Sequence, residues 1–132
     1  MKIIVNEIPP SNNKYMGNSH NFNEYRRDKA RWHWLIKVAM CNVQKPRKPL
    51  EKAIVRVMYY FKDNRRRDIY DNYAPKFLLD PLVCEGVIYD DCWQCCKVDL
   101  DAAVDKDNPR TEIEIIEIRS DENETDKTAN AE

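Results

Sequence analysis

Glycine is nearly missing from this chain: it has two in 132 residues, Gly17 and Gly86. Nucleotide-binding fingerprints need several glycines close together, so a glycine-rich phosphate cradle is excluded. Long hydrophobic runs are missing too, and no stretch approaches the roughly 18 apolar residues that cross a bilayer. The opening Met1-Lys2-Ile3-Ile4-Val5 is too short, and reaches Glu7 too soon, for a secretory signal. The expectation is a protein that touches no membrane and stays in the cytoplasm. Its five cysteines, Cys41, Cys84, Cys92, Cys95 and Cys96, are odd in number and lack an export signal, which argues against a disulfide framework. Cys92-x-x-Cys95-Cys96 hints at zinc, but the second ligand pair is missing and His20 and His33 lie far upstream. Reduced cysteines in a strand are the reading favoured over zinc.

What is abundant is charge, unevenly placed. The net charge is −1, yet residues 1–67 hold 16 Lys and Arg against 5 Asp and Glu, while residues 68–132 hold 6 against 18. A basic half can follow a phosphate backbone and an acidic half can hold a divalent cation. Mutual neutralisation of the halves across the fold is the plainer alternative.

The chain length suits one domain with a real core. Residues 2–8 read as a strand closed by Pro9-Pro10, and residues 17–23 as a loop. Trp32, Leu35, Ile36, Ala39 and Met40 give one apolar face to a helix from about Glu24 to Cys41. Gln44 to Pro49 is a basic turn. Ala53, Val55, Val57, Tyr59 and Phe61 alternate as one face of a strand over 52–62. A second helix is expected to start at Asp71 or Asn72 as N-cap, to be kinked or divided at Pro81, and to stop at Gly86. Val87-Ile88-Tyr89 reads as a short extended piece. Strands follow over about 93–100 and 111–118, the last with a bulge where Ile116 and Ile118 shift phase. The implied class is α+β: a small mixed sheet with two main helices packed on it, in the order β-α-β-α-β-β, over residues 1–118. Residues 119–132 form an acidic tail with almost nothing to bury and are expected to be disordered.

Carboxylates and cations cluster in the middle of the chain. Arg65-Arg66-Arg67 runs straight into Asp68; Asp71-Asn72 follows, with Lys76 five residues beyond Asp71; Asp90-Asp91 comes after the second helix. Magnesium takes hard oxygen ligands, a few carboxylates plus water and substrate phosphate. Asp68, Asp71 and Asp91 are therefore candidate metal ligands that the returning helix can bring together. Lys76 is the candidate cation for the phosphate under attack. Lys14, Arg65, Arg66, Arg67 and the exposed face of the first helix are candidate contacts for a phosphate backbone, and Asn12 and Asn13 can hydrogen-bond a phosphate. Each has a plainer reading: Asp71 as a cap, Asp90-Asp91 and Asn12-Asn13 as turns, Asp68 as an ion-pair partner of the arginines; Tyr15, able to stack on an unpaired base, is read as a core aromatic.

These residues carry a resemblance. Pro9-Pro10-Ser11-Asn12-Asn13-Lys14-Tyr15, then Arg65-Arg66-Arg67-Asp68, Asp71-Asn72, Lys76 and Gly86-Val87-Ile88-Tyr89-Asp90-Asp91 resemble, in order and spacing, the RusA family of Holliday junction resolvases, endodeoxyribonucleases of phages and prophages. The resemblance covers about residues 3–118. It implies a homodimer in a bacterial host cell that binds four-way junction DNA and makes paired nicks with Mg2+, for which Mn2+ can substitute. It also implies that Asp71 and Asp91 bind metal and that Lys76 is essential. One position departs. The family has Asp-x-Asp-Asn, but two residues before Asp71 stands Ile69, which cannot ligate metal. Asp68 serves in its place only if a bulge or an early helical turn rotates it inward. The alternative is a catalytically weakened protein that binds junctions without cutting them. Trp34 lies off the stripe of Trp32, and its exposure would mark a dimer contact.

Overall fold

A computed structural model describes residues 1–16, 21–73 and 75–119. The described residues form a four-stranded mixed sheet with helices against one face. The order along the chain is β1 (Lys2–Val5), a 3-10 turn (Asn12–Tyr15), α1 (Asn21–Ala39), β2 (Ala53–Phe61), α2 (Ile69–Asn72), α3 (Lys76–Cys84), β3 (Cys96–Val104) and β4 (Arg110–Glu117). No described helix is long and apolar enough to cross a membrane.

β2 is the central strand, and its alternation explains why. Ala53, Val55, Val57, Tyr59 and Phe61 are all buried on one face, as the period of two requires. β4 pairs antiparallel to β2 on one side and β3 pairs parallel to it on the other, giving the order β1-β4-β2-β3. A parallel partner demands a crossover, and α2 and α3 supply it. The β3–β4 turn straddles the end of β2: the Asp105 amide donates to the Phe61 carbonyl at 2.8 Å. Arg110 pins that turn, donating to Asp105 at 2.7 Å and to the Asn108 carbonyl at 2.9 Å while lying over the Tyr60 ring at 3.8 Å.

The core lies between the sheet and the helices. Trp32, Ile36 and Met40 from α1 and the residue after it, and Phe77, Leu78, Leu79 and Leu82 from α3, join Ile3, Val5, Val55, Val57, Ile113 and Ile115 in one buried cluster. Leu35 and Ala39 pack against its margin, so the apolar stripe read from the sequence is the packed one. Thr111 is the polar member, and its hydroxyl donates to the Glu7 carbonyl at 2.7 Å.

Several boundaries differ from expectation. β1 stops at Val5. α1 begins at Asn21 and ends at Ala39, so the loop expected over 17–23 is already helix from residue 21; residues 17–20 lie outside the described ones. The second helix is two helices. α3 runs through Pro81, and the division falls before Pro75, which caps α3 and accepts from the Leu78 and Leu79 amides at 2.8 and 2.9 Å. β3 starts at Cys96 because residues 92–95 form a turn, with the Cys95 amide donating to the Cys92 carbonyl at 3.0 Å. β4 has no bulge: its register with β2 is unbroken from Arg110 opposite Tyr60 to Glu117 opposite Ala53. Ile116 lies on the sheet's other face, half covered, so its phase needs no extra residue. Ile88 bridges to Leu50 in the extended stretch expected there. The acidic tail beyond Arg119 lies outside the described residues.

Candidate active site

The basic run after β2 does not stay extended. Arg67 folds back: its guanidinium lies over the Phe61 ring at 4.2 Å, donates to the Asp63 carboxylate at 2.7 Å, and reaches the carbonyls of Asp63 and Arg65 at 3.0 and 3.1 Å. The ion pair with Arg67 and the Arg65 amide hold the Asp63 carboxyl below its usual range. Arg65 and Arg66 stay exposed.

Asp68 then starts α2. Its backbone is extended, with φ −99° and ψ 95°, and its carboxylate accepts from the Asp71 amide at 3.3 Å. The N-cap is therefore Asp68, not Asp71 or Asn72 as the sequence suggested. Aspartate is a good cap because its short acceptor reaches a free amide of the first turn. The i, i+3 relation places Asp68 and Asp71 on one turn, while Ile69 packs partly buried against the core. The departure at Ile69 thus has a local reason: that side chain anchors the turn.

The N-terminal motif meets this turn. Ser11 caps the 3-10 turn by accepting from the Asn13 amide at 3.2 Å, and the Asn12 side-chain amide donates to the Asp71 carbonyl at 2.8 Å. Asn13 is exposed. Lys14 is not a free cation: it donates to Asp28 at 2.9 Å and lies 3.3 Å from Glu24. The Tyr15 hydroxyl donates to the same Asp28 carboxylate at 2.6 Å. Burial pushes the Asp28 carboxyl up, but the bonds from Tyr15 and Lys14 outweigh it and bring it below the ordinary value. Tyr15 packs as a core aromatic: its ring meets Tyr25 edge-on at 5.2 Å, and Tyr25 meets Phe77 at 5.2 Å. Phe77 follows Lys76, the exposed first residue of α3. Asn12, Asp68, Asp71 and the start of α3 thus belong to one neighbourhood. Asp28, which organises it, escaped the sequence reading. Its signal was an acidic pair, Glu24 and Asp28, at i, i+4 in an otherwise basic helix.

Asp90 and Asp91 lie elsewhere. Ile88 pairs with Leu50, just before β2, and the Asp91 amide donates to its neighbour's carboxylate at 2.8 Å. The turn that follows delivers the Cys95 carbonyl to the Ala53 amide at 2.9 Å, at the amino end of β2. Asp68 comes after the carboxyl end of that strand, and the chain folds back beyond it: the Tyr70 hydroxyl donates to the Leu100 carbonyl at 3.4 Å, beside Val57 in the middle of β2. Among the described residues no group of three or more His, Cys, Asp or Glu could hold a metal ion. Within one chain, then, Asp68, Asp71 and Asp91 are not gathered into a ready-made cage. All five cysteines are free thiols. Cys92 and Cys95 face each other at 3.2 Å, and that contact pushes the Cys95 thiol up to about 11.

The profile of the family described as Endodeoxyribonuclease RusA matches residues 7–116. No curated protein matches the chain.

Proposed function

The chain belongs to the RusA family of endodeoxyribonucleases, hydrolases of phosphodiester bonds in DNA, and from that premise we propose that it resolves four-way DNA junctions by paired, magnesium-dependent strand cleavage. The observation that carries the reading is the bond from Asn12 to the Asp71 carbonyl. It joins two motifs 59 residues apart in the chain at one turn.

The donors suit a hard cation. Mg2+ is usually held by only one or two protein carboxylates together with water and substrate phosphate, so three pre-gathered carboxylates are not required. Asp68 and Asp71 offer such a pair, and Asp91, which the free chain does not gather with them, completes the set when a bound junction or a second copy of the chain brings it there. When bound, the metal supplies an activated water and neutralises charge on the phosphate. The chain's own groups do the rest. Lys76 stabilises charge on the phosphate under attack. Asn12 fixes the Asp71 turn, and Asn13, Arg65 and Arg66 hold the strand near the cut. A homodimer matches the two-fold symmetry of a junction. Trp34 (61% exposed) and Val38 (47%) on α1 offer apolar contact for it.

A second reading, binding without cutting, is favoured by one observation: Ile69 stands where a ligand is expected, and Asp68 is engaged as a cap. Incubating purified protein with a labelled four-way junction in Mg2+ or Mn2+ separates the two. Paired nicks are expected, reduced by more than about 100-fold in Asp71→Asn and Asp91→Asn with gel retention kept, since even outer-shell partners of a metal are worth 10–100-fold. Retention of wild-type protein on the junction without nicking would establish the second reading.

A further inference from the structure

The basic turn after α1 plays no part in the site described above, yet it builds a groove. Arg47, Lys48, Lys52 and Arg119 line an open groove of about 680 Å³ together with Glu51 and Glu117. Four cations face two carboxylates there, in a molecule whose net charge is −1.

Pairing separates these cations from those that the fold has already matched. Lys2, Lys14, Lys29, Arg31, Arg67 and Arg110 each have a carboxylate between 2.6 and 2.9 Å away. Among the described residues, none lies within 4.0 Å of Arg47, Lys48, Lys52 or Arg119. A paired cation must give up its carboxylate before it can neutralise a phosphate; an unpaired one gives up only water and counter-ions.

The groove is also held rigidly beside Asp91. Pro46 and Pro49 bracket Arg47 and Lys48 and fix φ at two positions. The Leu50 amide donates to the Val87 carbonyl at 2.9 Å, and the Leu50 carbonyl accepts from the Tyr89 amide at 2.9 Å. This ties the turn to the strand that leads into Asp90-Asp91. The Ile118 amide donates to the Lys52 carbonyl at 2.9 Å, which fixes the residue next to Arg119.

We propose that this groove is a second phosphate-binding surface, taking the sugar-phosphate backbone of a DNA arm and leading it past Asp91. The proposal rests on the nuclease reading above. It adds a binding site at the end of β2 opposite to Arg65 and Arg66. Recognition is by charge alone, so no base sequence is read.

The test is the salt dependence of four-way junction binding in a metal-free buffer. For Arg47→Ala/Lys48→Ala/Lys52→Ala, the slope of log affinity against log salt is expected to fall by about two to three, because each phosphate contact contributes about 0.9. Lys2→Ala, whose cation is already matched by Glu112 at 2.8 Å, is expected to keep the wild-type slope. Glu117→Gln works in the opposite direction: binding should tighten, which a merely misfolded variant would not do. A wild-type slope in the triple variant, or unchanged affinity in Glu117→Gln, overturns the groove while leaving the nuclease reading intact. Failure of the wild-type protein to bind any junction removes the nuclease reading and the groove with it.

Discussion

The two ends of β2 handle charge in opposite ways. On the side of the carboxyl end, part of the positive charge is spent on architecture. Arg67 is clamped between Asp63 and the Phe61 ring, and Lys14 is shared by Asp28 and Glu24. At the amino end, Arg47, Lys48 and Lys52 stand on a proline-bracketed turn with no carboxylate partner among the described residues. The difference teaches that a basic residue in the sequence is not yet a DNA contact. What matters is whether folding has already given it a counter-charge. By that measure Arg65 and Arg66 remain available for phosphate, whereas Lys14 and Arg67 first stabilise the protein.

Three substitutions sharpen or break this contrast. The largest effect is expected for Asp28→Asn, which weakens the bonds from both Tyr15 and Lys14 and should cost about 2 kcal/mol, the worth of a hydrogen bond to a charged group. Its pH dependence follows from the lowered Asp28 carboxyl. A group depressed on folding adds stability that is full above its unfolded value, here 3.8, and is lost as pH falls through the folded value. Thermal melts of wild-type and variant should therefore differ at pH 7 and converge in acid. A constant gap down to pH 2 would mean that the carboxylate charge is not what Tyr15 and Lys14 hold.

Arg67→Ala comes next, at about 1–2 kcal/mol, from the lost ring stacking and ion pair. Its salt slope for junction binding should stay at the wild-type value, because the guanidinium is already neutralised. A reduced slope with an unchanged melting temperature would reverse the contrast between the ends.

Asp68→Ala is the smallest, about 1 kcal/mol for a lost helix cap. Asp68→Asn should restore the melting temperature, since asparagine caps as well. If Asn also restores cleavage in Mg2+, Asp68 acts only as a cap; if cleavage stays low, the carboxylate charge is needed as a ligand.

Much of this could be read from the sequence where a residue's neighbours along the chain decide its fate. β2 was legible because five apolar residues alternate without interruption, and the face of α1 because Trp32, Ile36 and Met40 repeat every four. Candidate residues of the nuclease were legible as motifs in order, and the match over residues 7–116 bears out the family. What failed depended on contacts across the chain. Asp68, Asp71 and Asn72 are equally good caps, and only the burial of Ile69 selects Asp68. Ile116 reads as out of phase in the sequence because it breaks the alternation of isoleucine with glutamate, whereas in the sheet it lies half covered on the other face. The position of Asp91 follows from topology. A strand parallel to β2 must begin beside the start of β2, so Asp91, just before that strand, is carried toward the amino end of β2. Asp28 was invisible because its partners, Tyr15 and Lys14, precede it by 13 and 14 residues and belong to a different element.

The pairing of β1 with β4 bears on how the chain is made. Lys2 lies opposite Glu114 and Val5 opposite Thr111, so among the described residues the first strand finds its only sheet partner in the last strand. At roughly 5–20 residues per second of synthesis, β1 waits on the order of 5–20 seconds for β4 to be translated. During that interval Ile3 and Val5 have no strand to pair with, and β2 and β3 can already align. The sheet therefore closes as a late, long-range event, the slow kind of step in folding. Substitutions in β4 should delay completion of the fold more than substitutions of the same size in α1.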